Sequence, residues 1–261
     1  MHRSKLVLAT ALVAGTAATQ VASAEAPRTA AAAAQGGLSV TPSTAETTAR
    51  KGATISVTVT NTTGGKLNVR AHARPWRQAR NGGAVAANRS RRLRGVRLSA
   101  TRFSLAPNAR RSVTMTLRSV PSRGSQFGGL EFVGKPAKKR RGINVAYRLV
   151  SSVRFNPSSR RYSVRAGSAR VSGSGGSRAL SLLVRNAGNT VDPIGGSVSI
   201  SGPGGGRSGT ITAVRILPGN LVSVRAASLA GLRRGRYTAR VSLTQGGQRR
   251  ASFTRSFRIR R

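Results

Sequence analysis

Thr54-Ile55-Ser56-Val57-Thr58-Val59-Thr60-Asn61 decides the fold, because Ile55, Val57 and Val59 alternate strictly with Ser56, Thr58 and Thr60. A period of two puts the apolar side chains on one face of an extended strand and the hydroxyls on the other. β-Branched residues favour such a pleated, half-buried surface. Working outward, Leu67, Val69, Ala71 and Ala73 repeat the alternation after a turn at residues 61–65, and Val113, Met115 and Leu117 repeat it again. Runs at residues 129–133 and 143–155 bring this half to about seven strands, as in an immunoglobulin-like sandwich.

Asn156-Pro157-Ser158-Ser159 then interrupts the pattern with turn chemistry. Beyond it the rhythm restarts at residues 162–171, 179–185, 196–201, 210–217, 221–227, 236–243 and 251–259. Tyr237, Ala239, Val241 and Leu243 share one face of a strand while Arg236, Thr238, Arg240 and Ser242 share the other, so one side meets a core and one meets water. The expected fold class is all-β: two tandem immunoglobulin-like β-sandwiches, at residues 38–157 and 158–261. Residues 77–92 have almost no apolar period and include Asn81-Gly82-Gly83, which reads as a long basic loop, either functional or disordered. Gly202-Pro203-Gly204-Gly205-Gly206 opens another strand rather than a helix, so it reads as a hairpin loop and not a phosphate cradle.

The start of the chain reads as a signal peptide over residues 1–24. Arg3 and Lys5 precede a short apolar run, and Ala22-Ser23-Ala24 carries small residues at the cleavage positions. Residues 25–37 read as a flexible Ala-rich leader. No later stretch is long and apolar enough to span a bilayer, so the mature chain is expected to be exported, to the cell envelope or beyond, without a membrane span. With no Cys, each sandwich must stand on its core rather than on disulfides.

Composition narrows the function. Forty-six Lys and Arg stand against four acidic residues, Glu25, Glu46, Glu131 and Asp192, giving a net charge of +42. Acid/base pairs, glycosidase dyads and carboxylate metal cages need acids brought together, and thiol and Cys/His zinc chemistry need residues the chain lacks. The expectation is a binding protein, not an enzyme, with no cofactor. A strong positive field calls for an anionic partner, although charge runs are also commonly solvated faces. Two clusters are candidates for polyanion binding: Lys135, Lys138, Lys139, Arg140 and Arg141 at a hairpin tip, and Arg89, Arg91, Arg92 and Arg94 in or beside the long loop. The expected partner is an anionic cell-wall or surface polymer, or a surface protein. Few aromatics interleave the charge, which argues against nucleic acid. Trp76 is expected in a core or between sheets, and His72, among the polar set of its strand, on the surface. Asn61-Thr62-Thr63 and Asn88-Arg89-Ser90 fit a glycosylation acceptor, a pattern short enough to arise by chance.

Residues 38–42 (LSVTP), 52–61, 67–71 and Trp76 resemble the opening strands of two exported sandwich families: pilus-assembly chaperones, and Gram-positive cell-surface proteins that bind peptidoglycan and WxL-type partners. Residues 103–108 followed by 113–117 look like the strand, Pro turn, strand step that both share. Residues 128–133 and 144–150 resemble the cell-surface family more closely, and Asn186-Ala187-Gly188-Asn189, Leu217-Pro218-Gly219 and residues 232–241 resemble its second sandwich. The resemblance implies non-catalytic binding at the envelope through basic loops. The more distant one implies a chaperone-like or adhesive module that adds a partner's strand to a sheet edge. Two departures stand out. Residues 38–42 offer no basic residue where a pilus chaperone holds one of its anchoring pair, and no membrane helix closes the chain, so retention by charge or through a partner is expected.

Overall fold

The structure, a computed structural model, describes residues 36–81, 86–87, 89–138 and 144–260. The signal peptide, all of the leader before Gly36, and Lys139, Arg140 and Arg141 lie outside the described residues. The chain folds into two tandem immunoglobulin-like β-sandwiches.

The first is built from β1 (Leu38–Thr41), β2 (Thr44–Thr48), β3 (Thr54–Asn61), β4 (Leu67–Arg77), β5 (Ala86–Ala87), β6 (Val96–Leu98), β7 (Arg102–Leu105), β8 (Arg110–Leu117), β9 (Gln126–Pro136) and β10 (Tyr147–Asn156). One sheet has the order β1-β3-β8-β6; the other has β2-β10-β9-β4-β5, with β7 also on β4. β1 and β2 together serve both sheets: β1 runs antiparallel to β3, and after the cis Thr41–Pro42 peptide β2 runs parallel to β10. Alternation does the folding here. Val57, Val59, Val69, Val113, Met115, Phe132, Val153 and Phe155 are buried from both sheets into one core, while the outer hydroxyls pair across strands, as Ser56 does with Thr114 and Thr58 with Ser112 at 2.8 Å.

The second sandwich contains β11 (Val164–Ser172), β12 (Ala179–Asn186), β13 (Ile194–Ser201), β14 (Arg207–Val214), β15 (Leu221–Ser228), β16 (Gly235–Gln245) and β17 (Gln248–Ile259). Its sheets have the orders β11-β12-β15 and β14-β13-β16-β17. Leu180, Leu182, Val198, Ile200, Ile211, Tyr237 and Val241 fill its separate core. Each such side chain contributes about 1.5–3 kcal/mol on burial, so the two cores support the sandwiches without disulfides.

Two features differ from expectation. Trp76 is neither core nor between the sheets: it is half-buried at the end of β4, on the face turned away from the core. Its ring lies over β9 where that strand carries Gly129, because a Cβ there would stand 2.5 Å from Val150 Cγ1 and 3.0 Å from Trp76 Cη2. Described residues of the segment after β4 are also tied to the first sandwich. β5 pairs with Trp76 and Arg77, the Leu93 N–H donates to the Ala73 carbonyl, and Leu93 is buried in the first core. Its sequence gives little sign of this, since one buried leucine carries no period.

Candidate functional site

β4, β9 and β10 lie side by side, with residue pairs fixed across them: His72 opposite Glu131, and Glu131 opposite Val150. Period two turns Arg70, His72 and Arg74 of β4 outward together, and Glu131, Val133 and Lys135 of β9 beside them. Glu131 is the centre of this face. Its carboxylate is almost wholly buried, and takes the Arg74 Nε–H at 3.0 Å and the Arg148 Nε–H. Burial pushes the carboxyl up, but the hydrogen bonds and charges of Arg148 and Arg74 outweigh this and hold it below the ordinary carboxylate range. Beside it, burial and then Arg74, with smaller contributions from Arg92 and Arg70, hold the His72 imidazole below its usual value against the pull of Glu131.

The other described carboxylates are also engaged by the protein itself. Glu46 on β2 accepts from Arg154 Nη1 and from Asn156 Nδ2 at 2.9 Å, which pins the parallel β2–β10 register. Asp192 accepts from Arg160 Nη1 at 3.1 Å and from the Tyr162 hydroxyl at 2.8 Å. These three acids are spread over two sandwiches, each neutralised by its own neighbours, so among the described residues no two carboxylates are brought together. Among the described residues, no helix is long and apolar enough to cross a membrane.

The two basic clusters inferred from sequence are partly brought together. Arg89 and Lys135, far apart along the chain, line one cleft of about 740 Å3 over the outer face, together with Arg70, His72, Arg74 and Glu131. Arg91, Arg92, Arg94 and Lys138 are exposed. Two of them are held through the backbone: the Arg91 carbonyl accepts from Arg74 Nη1, and the Arg94 carbonyl from Gln126 Nε2. Sequence reading passed over Arg70, Arg74 and Arg148, whose alternation with apolar residues looks like an ordinary solvated face. The only available signal was a lone Glu opposite basic strands. Asn61 is not a glycosylation acceptor in the folded chain: it is fully buried, and its amide donates to the carbonyls of Gly65, Leu105 and Ala106 at 2.8–3.1 Å. Asn88 lies outside the described residues.

A second feature is an edge. β2 pairs with β10 only from Ser152 to Asn156, although β9 pairs with β10 from Tyr147 onward. The Ser152 N–H points to the β2 side, where it donates to the Ser43 carbonyl. Period two then puts the backbone groups of Val150 and Arg148 on that same edge, ahead of the start of β2 at Thr44. Tyr147 and Leu149, on the core-facing side, are only half-buried, and Val145 just before them is 50% exposed. Tyr147 and Val145 line an open groove with Leu67 and Pro136.

No protein-family model matches the chain, and no curated protein matches it. Among solved structures, the chain is similar to the class 5 fimbriae chaperone CfaA, at 12% identity over 84% of this chain and 98% of that one, with a TM-score of 0.47. It is similar to a chain of the Salmonella enterica SafA pilin–SafB chaperone complex at 16% identity, covering 85% and 96%, with a TM-score of 0.46. The E. coli chaperone DraB gives 14% identity, 84% and 98% coverage and a TM-score of 0.43. These comparisons correct one expectation. The similar structures are fimbrial chaperones, not members of the Gram-positive cell-surface family that residues 128–133 and 144–150 were read to resemble. What partner this chain takes is a matter for its own residues.

Proposed function

We propose that the protein is an exported, non-catalytic binding protein that holds an extended segment of a partner protein by strand addition along the free half of the β10 edge. The observation that carries this reading is the mismatch in length between β2 and β10, which leaves residues 147–150 with a strand on one side only; beyond them the Ser151 hydroxyl donates to the Pro42 carbonyl just ahead of β2. An incoming strand would meet the backbone groups of Arg148 and Val150, and its alternate side chains would settle against Val145, Tyr147 and Leu149. Main-chain hydrogen bonds give affinity in this mode and the alternate pockets give selectivity. Export rests on residues 1–24, where Arg3 and Lys5 precede the apolar run. We place the boundary between the sandwiches at residues 157 and 158.

Strand addition depends on apolar contact and backbone pairing, so it resists salt. A fluorescently labelled peptide of alternating Val and Thr is expected to bind the protein almost equally at about 50 and 200 mM salt, a range over which contacts with many charges lose orders of magnitude. Replacing Val145 and Tyr147 together with Glu is expected to weaken that binding by about tenfold or more, because charge would then stand in the groove. Loss of the peptide on raising salt, or indifference to the double variant, would overturn the reading.

A further inference from the structure

We propose that the outer face of β4 and β9 is a second binding site, a cationic cleft that grips a linear phosphate-bearing polymer between Arg89 on one side and Lys135 on the other. The cleft is separate from the β10 edge and uses different chemistry. Its cationic groups arrive from three parts of the chain: Arg70 and Arg74 from β4, Lys135 from β9, and Arg89 from the segment after β5. Three separate segments supply cations here, against two at the shallower meeting of Arg234 with Arg258 and Arg260 on the second sandwich. Its only carboxylate, Glu131, is already neutralised by Arg74 and Arg148 and lies almost wholly buried beneath them, so it offers an incoming anion little repulsion.

The shape favours a chain over a small ion. Outward positions on one strand recur about every 7 Å, so residues 68–74 offer an extended row about 20 Å long, with a cation or imidazole at three of its four outward positions. Guanidinium forks match phosphate oxygens in pairs, and Lys135 adds a point charge. The cleft also lacks an aromatic platform: among its lining residues the only aromatic ring is the small imidazole of His72, so bases have nothing extensive to stack on. The fitting ligand is therefore a phosphate polymer without nucleobases.

His72 makes the site report on itself. It is faced by Arg70 and Arg74 on its own strand, Glu131 on β9 and Arg92 in the segment after β5. Arg148 of β10 acts on it through Glu131. A polyanion laid over these groups offsets the arginine charges, so the imidazole takes up a proton more readily and binding tightens as the pH falls through its titration.

The test uses the full chain and labelled long-chain polyphosphate at about 50 mM salt. Combined Arg70→Gln, Arg89→Gln and Lys135→Gln substitution is expected to weaken binding about tenfold or more. Combined Arg233→Gln, Arg234→Gln and Arg236→Gln substitution removes the same charge from exposed positions on the second sandwich and is expected to cost no more than about twofold to threefold. In the unmodified protein, polyphosphate is expected to shift the His72 imidazole titration upward in an NMR pH series. The chain holds two histidines, so His72→Gln assigns the signal. Equal losses in the two triple variants, an unmoved His72 titration, no binding of polyphosphate, or tighter binding of single-stranded DNA than of polyphosphate at equal charge would each overturn the proposal.

Discussion

The buried amide of Asn186 donates to the Thr190 and Ile216 carbonyls at 2.7 Å, and its Oδ1 accepts from the Gly188 N–H. Asn61 has the same place in the first sandwich, with Thr63 as donor and Leu105 and Ala106 as acceptors. The backbones match as well: Asn108 N–H donates to Asn61 O, as Gly219 N–H does to Asn186 O. Removing such an amide strands buried carbonyls, so Asn186→Ala is expected to cost about 2–3 kcal/mol in urea unfolding. A cost below about 0.5 kcal/mol would show that the loop is sealed some other way. The matched turn residues differ in kind, Gly219 at φ 85° and Asn108 at φ 59°. Asn108→Gly gives up little in that conformation and is expected to change stability by less than about 1 kcal/mol, whereas Asn108→Val should destabilise by more, as the two melting curves would show. Glu131 bears on acid stability. Its folded carboxyl titrates below the unfolded one, so its contribution is complete above the unfolded value and is lost as pH falls through the folded one. Glu131→Gln is expected to cost about 2–3 kcal/mol near neutral pH and to flatten the acid limb of the stability profile; an unchanged acid limb would mean that other groups set it.

At the scale of elements, alternation made most strands legible: the expected run at 236–243 is the centre of β16, and the run at 251–259 falls within β17. The seven expected runs of the second half correspond to its seven strands, because each strand has one wet face and one dry face. What alternation cannot convey is the neighbour. The parallel pairing of β2 with β10, and its stop at Ser152, depend on a Glu46–Arg154 contact between residues more than a hundred positions apart. The β10 edge was consequently hidden even though Val145, Tyr147 and Leu149 were in plain view. The cleft was half legible: Arg89 and Lys135 belonged to the inferred clusters, but the strand register that sets them around Arg70 and Arg74 is long-range information. The length of β4 was missed for a local reason, since Pro75 and Trp76 break the apolar count while the strand continues to Arg77.

Across the whole molecule, Gln78 joins the two sandwiches. Its Nε2 donates to the Arg215 carbonyl at 2.7 Å and its Oε1 accepts from the Leu217 N–H at 2.9 Å, and the Arg80 carbonyl takes the Ser223 N–H. Gln78→Ala removes two of these bonds, each worth about 1 kcal/mol. It is expected to speed the first tryptic cut at Arg160 or Arg161, beside the linker, by severalfold without lowering the melting temperature of either sandwich; an unchanged cleavage rate would mean that the side chain does not couple them. The engagement of every described carboxylate by the protein's own basic groups has a last consequence. Only six of the 46 basic residues are Lys, and guanidinium does not lose its proton in any ordinary buffer. With most of its cations guanidinium, the molecule has the character of a strong-base ion-exchange resin: competing salt is the general eluent of a bound polyanion, and pH bears on binding chiefly at the one cleft that holds His72.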